Sequence, residues 1–129
     1  MNKKLLIAGS LLGLISIILG AFAAHGLEKV VTPDAIETFQ VGVRYLIYHV
    51  LVLLFACYSL YIRVNIKKLM LLLVIIGVLL FSGSIYGLAT NDLTGFNFKN
   101  IAFITPIGGF LLMLSWLIML LDFLKLKDE

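Results

Sequence analysis

Four long apolar runs follow one another along the chain, at residues 5–24, 45–62, 69–90 and 100–121, and none of them contains Asp, Glu, Lys or Arg. Each has roughly the 17–25 residues that a helix needs to cross about 30 Å of hydrocarbon. The runs are continuously apolar and lack the alternation of a membrane barrel, so helices are the form that satisfies their backbone in lipid. The pattern predicts an all-α fold: one integral-membrane domain, a four-helix transmembrane bundle. Its spans lie near 5–24, 41–62, 69–90 and 103–123, with interfacial segments at 25–40 and 91–102.

Composition points the same way. The chain has 129 residues, 62% hydrophobic and 13% charged, against about 25% charged in soluble domains. A chain this short has too little interior to hide so much apolar surface from water, and its mean hydropathy is +1.13. The net charge of +3 does not argue for nucleic acid, because the basic residues sit between the apolar runs. They read as topology signals. Lys3, Lys4, Arg63, Lys67, Lys68, Lys125 and Lys127 fall on one side of the membrane; Lys29, Arg44 and Lys99 fall on the other. The richer side is expected to be cytoplasmic, giving an N-in/C-in protein of the plasma membrane with its 25–40 and 91–102 segments outside.

The start of the chain admits a second reading. Two lysines, an apolar run and the sequence AFA at 21–23 resemble a secretory signal with its cleavage site. The run is longer than a signal's usual apolar core. It also carries Gly9, Gly13, Ser16, Gly20 and Ala24 at helical spacing, a stripe that suits close helix packing. Retention as a true span is expected. Gly83, Gly87, Gly108 and Gly109 read as packing positions of the later helices.

The second run opens with a helix start: Thr32 can cap, Pro33 suits the first helical position, and Asp34 favours the positive dipole end. A helix continued from 33 to 62 would be about 45 Å long. On it Glu37, Gln40, Arg44 and Tyr48 share one narrow face, with Tyr45 and His49 beside them. His25, Ser82, Ser84, Tyr86 and Thr105 come from the other three spans at the same predicted depth. Together these residues make an expected polar cluster in the outer leaflet, while the inner half is expected to be nearly free of polar side chains apart from Ser10 and Ser59. Bland readings accompany each: His25 as a helix-end residue, Arg44 as an interface anchor, Tyr45 and Tyr48 as an aromatic belt, Thr105–Pro106 as a helix start.

The segments GAFAAHGL at 20–27, FQVGVRYLIYH at 39–49, FSGSIY at 81–86 and ITPIGG at 104–109 resemble, in order and spacing, the signatures of small four-span bacterial inner-membrane proteins known as domain of unknown function family 423. The resemblance covers nearly the whole chain. It implies a multi-pass plasma-membrane protein and supplies no reaction.

Three functions stand against one another. The first is a structural or accessory protein that engages lipid headgroups, a membrane-protein partner or a second copy of itself. The second is a small oligomeric transporter or channel for protons or a small solute, in which His25 and His49 would form a relay. No carboxylate falls inside any of the four charge-free runs, which weakens it. The third is an enzyme or metal site. It is underprovided: two histidines with one tyrosine and no carboxylate are a poor metal set, and Ser82 has no readable base and acid. Cys57 is the only cysteine. The expectation is the accessory role, with no catalysis, cofactor or metal.

Overall fold

Lipid offers no partner for a backbone N–H or C=O, so each apolar run must close its own hydrogen bonds. The computed structural model describes residues 1–127 and folds the four runs into α1 (Asn2–His25), α2 (Pro33–Tyr58), α3 (Val64–Ala89) and α4 (Ile104–Phe123). All four are long and apolar enough to span a membrane. Short 3-10 turns at Leu27–Lys29, Asn91–Leu93 and Phe98–Ile101 fill the two connections at one end, and no strand occurs among the described residues. The helices run up and down. The end carrying these connections is called the loop end; the end carrying the N-terminus, the α2–α3 turn and residues after α4 is called the terminal end.

Local chemistry sets the helix limits. Thr32 Oγ1 accepts from Ala35 N–H at 3.2 Å, and Pro33 occupies the first helical position. α2 therefore starts where the cap signal lies, and residues 33–40 continue the helix beyond the apolar run. Its other end falls short of residue 62. Ser59 turns extended, at φ −64° and ψ 124°, and its Oγ accepts from Tyr61 N–H at 3.3 Å. The Lys67 ammonium then donates to the Cys57 carbonyl at 3.1 Å, satisfying one of the open carbonyls that close a helix. With 26 residues, α2 is about 39 Å long rather than 45 Å. α4 begins at Ile104, and Pro106 falls in its first turn, where a missing N–H has no intrahelical partner to lose.

Sequential neighbours make the close seams: α1 on α2, α2 on α3, and α3 on α4. Apolar side chains have no hydrophobic reason to associate in lipid, so close approach supplies the attraction. The stripe on α1 does this against α2. Gly9 lies against Leu54, Gly13 against Val50 and Gly20 against Val43. Gly108 sits directly on the α3 backbone between Gly77 and Phe81, and Gly77 receives the Leu112 side chain. Gly42 of α2 carries the Tyr86 ring, and Gly87 carries the Phe98 ring. Gly42 and Gly77 were not among the expected packing positions. Gly83, which was, faces open space, because the turns around it present Ser82 and Ile85 inward instead. Gly109 makes only ordinary contact with the Phe81 ring.

Gly108→Ala should separate α3 from α4, since the added methyl meets backbone that cannot turn aside. A loss of about 1–3 kcal/mol is expected. Gly83→Ala should cost nothing measurable. Thermal melts of both variants in one detergent, followed by size-exclusion fluorescence, check the contrast.

Candidate functional site

At the loop end three helices bring polar groups together. Ser82 Oγ donates to the Gly42 carbonyl at 2.8 Å, tying α3 to α2. The Ser84 and Thr105 hydroxyls bond to each other, tying α3 to α4. The Tyr86 ring lies on Gly42 and stacks on Phe39, with ring centroids 4.6 Å apart, and its buried hydroxyl has no hydrogen-bond partner. α1 contributes nothing to this meeting. His25 ends α1 exposed, and Ser16 bonds back to Gly13 of its own helix at 2.8 Å.

Arg44 and Glu37 lie exposed on the same face of α2, and Gln40 between them is half-buried. Neither charge is paired: the one ion pair among the described residues lies elsewhere. Tyr45 and Tyr48 stack edge to face at 5.7 Å, and Tyr45 reaches Phe81 at 5.1 Å.

His49 stands apart from the outer cluster expected for it. Its neighbour Val50 packs on Gly13, halfway along α1, which sets His49 near mid-bilayer. From that register, His25 and His49 are separated by roughly 18 Å along the bundle axis, so they form no relay pair. The ring is 4% exposed and both nitrogens are engaged. Nδ1 lies 2.7 Å from the Tyr45 carbonyl, and Trp116 Nε1–H donates to Nε2 at 3.2 Å. A carbonyl only accepts and an indole only donates. The network therefore assigns a neutral imidazole with its proton on Nδ1.

The His49–Trp116 bond is also the floor of a cavity between α2 and α4. α2 and α4 meet here through side chains alone, and the space between them measures about 710 Å³. Tyr48, Phe55, Trp116, Met119 and Phe123 shape its sides, and Phe55 and Phe123 close its far end edge to face at 6.5 Å. Tyr48, Leu51, Phe55 and Trp116 are each about half exposed. The groove is open sideways, at the depth where a spanning helix meets lipid. No sequence signal joined residues 67 positions apart.

The terminal end corrects a second expectation. Asp122 lies in the last turn of α4, one residue past the charge-free run and 3% exposed, where the inner half was expected to be nearly free of polar side chains apart from Ser10 and Ser59. Its carboxylate accepts the Arg63 backbone N–H at 3.0 Å through one oxygen and the Arg63 Nε–H through the other. An anion is thus placed on the first open N–H groups of α3, where the helix dipole favours it. Lys67 and the weak Cys57 Sγ contact to the Asn2 carbonyl, at 3.7 Å, lie at the same end. The readable signal was an acid just past a charge-free run, opposite an arginine in the preceding turn.

The family described as "Protein of unknown function (DUF423)" matches residues 19–109. The chain belongs to this family. A UPF0382 membrane protein of Haemophilus influenzae is 36% identical over 91% of this chain and 90% of its own length. The UPF0382 inner membrane protein YgdD of Escherichia coli K12 is 33% identical over 99% of this chain and 95% of its own. The UPF0382 membrane protein YwdK of Bacillus subtilis is 30% identical over 95% and 98%. No solved structure matches. The chain is thus a multi-pass protein of the bacterial inner membrane, in a family to which no molecular function is attached. The matched stretch includes Arg44, His49 and the Ser82–Thr105 region but stops before Trp116 and Asp122.

Arg63→Ala removes the half-exposed cation from a buried carboxylate that keeps its backbone N–H bond, and should lower stability by about 1–2 kcal/mol. Arg63→Ala combined with Asp122→Leu should recover most of the loss, since no charge is then stranded. Thermal melts of the two single variants and the double variant in detergent test the cycle.

Proposed function

We propose that this protein is a non-catalytic accessory component of the plasma membrane that engages lipid or another membrane protein through its side. The side-open groove between α2 and α4 carries the reading. A conduit needs polar groups distributed from one face to the other. Here the polar groups gather at the two ends; between them the buried Ser16 and Ser115 hydroxyls bond back to their own helices, and the groove beside His49 is lined by aromatic and aliphatic side chains. His49, the ionisable group at mid-depth, has both nitrogens committed within the bundle. We also propose that the terminal end faces the cytoplasm, because seven of the ten basic residues lie there.

Proteoliposomes should be no leakier to protons or potassium than empty liposomes, read with a pH-sensitive dye. A flux that His49→Ala abolishes would overturn the accessory reading. Orientation is checked in a Cys57→Ser background. A membrane-impermeant maleimide applied to spheroplasts should label Lys29→Cys and Thr94→Cys but not Lys125→Cys.

A further inference from the structure

The groove and the unpaired arginine above it fit one ligand. We propose that the α2–α4 groove seats one acyl chain of a phospholipid whose phosphate rests on Arg44. This deepens the accessory reading and depends on it.

Position comes first. Val43 packs on Gly20, five residues before the end of α1, so Arg44 lies about 8 Å below that end of the bundle. From this depth a guanidinium on its long stem reaches the headgroup layer rather than remaining in hydrocarbon. Among the described residues no carboxylate pairs with it. Placing an unpaired cation at the edge of hydrocarbon is costly unless an anion meets it there. The anion that a bilayer supplies at this level is a lipid phosphate, which a guanidinium binds through two parallel hydrogen bonds.

Continuity comes second. Arg44 and Tyr48 share a face of α2, and Tyr48 is the upper wall of the groove. Below it the wall runs seven residues to Phe55, a drop of about 10 Å, so that Phe55 lies about 16 Å below Arg44 along α2. A chain hung from a phosphate at Arg44 passes Tyr48 near mid-depth and reaches Phe55 beyond it. The 710 Å³ volume lies within the range of ligand sites, about 300–1,000 Å³. Its lining is aromatic and aliphatic, and its polar floor is already satisfied by the His49–Trp116 bond. An apolar chain leaves no buried polar group unpaired there. The open side faces the bilayer, so the lipid enters laterally.

Trp116 is the only tryptophan and borders the groove, which gives a direct readout. The purified full chain in detergent is titrated with phosphatidylglycerol carrying brominated acyl chains, since bromine quenches indole on contact. Saturable quenching is expected. Diacylglycerol with the same brominated chains but no phosphate should need about tenfold more lipid, the value of one charge-assisted contact. Arg44→Gln should bring phosphatidylglycerol to the diacylglycerol level, and Arg44→Lys should recover part of the difference. Equal quenching by both lipids on the unaltered chain overturns the proposal, with no variant needed. Quenching that follows lipid mole fraction without saturating overturns it as well. Either result in a protein whose proteoliposomes stay tight would remove the lipid while leaving an accessory role through a protein partner.

Discussion

The bundle depends on how closely its helices can approach. In water, burying leucine would hold four such helices together; in lipid, a leucine is as well solvated outside the bundle as inside it. Attraction then comes from contact at short range and from hydrogen bonds across seams. The structure meets this requirement with absent side chains. Gly108 lets α4 rest on the α3 backbone, Gly42 admits the Tyr86 ring, and the α1 stripe takes Leu54 and Val50. Where the backbones come close, crossing polar contacts follow, as with Ser82 on the Gly42 carbonyl and Ser84 on Thr105.

The two ends of the bundle treat charge in opposite ways. At the terminal end Asp122 is buried and doubly bound by Arg63, and Lys67 spends its donor on the open end of α2. These contacts fix the α2–α3 turn against the end of α4 and give the buried charges partners within the chain, while Lys3, Lys4, Lys68 and Lys125 stay exposed. At the loop end Arg44 and Glu37 stand exposed and unpaired beside the headgroup layer. The terminal end thus settles its buried charge within the chain, and the loop end holds its charge at the surface.

Between them, sequential packing leaves a consequence for function. Seams form between α1 and α2, α2 and α3, and α3 and α4, so α2 and α4 are held apart by side chains and a groove remains. Trp116 reaches across it to His49, so both imidazole nitrogens are engaged within the bundle. A side-facing apolar groove beneath a free cation suits recognition in the plane of the membrane better than passage through it.

Residue order alone determined the four helices, because each run must close its own backbone hydrogen bonds in lipid, and it determined the start of α2, because Thr32 and Pro33 act on neighbours three residues away. It also marked the family. Contacts between distant positions were decided only by tertiary structure. Asp122 and Arg63 are 59 residues apart, and His49 and Trp116 are 67 apart. Helical periodicity says which residues share a face, but not which helix that face will meet or at what depth. His49 therefore looked like a member of an outer cluster until the Gly13–Val50 contact set it at mid-bilayer. Gly83 looked like a packing residue until the rotation of α3 turned it outward. Register and rotation arise from the sum of many weak contacts across seams, and no single stretch of chain contains that sum.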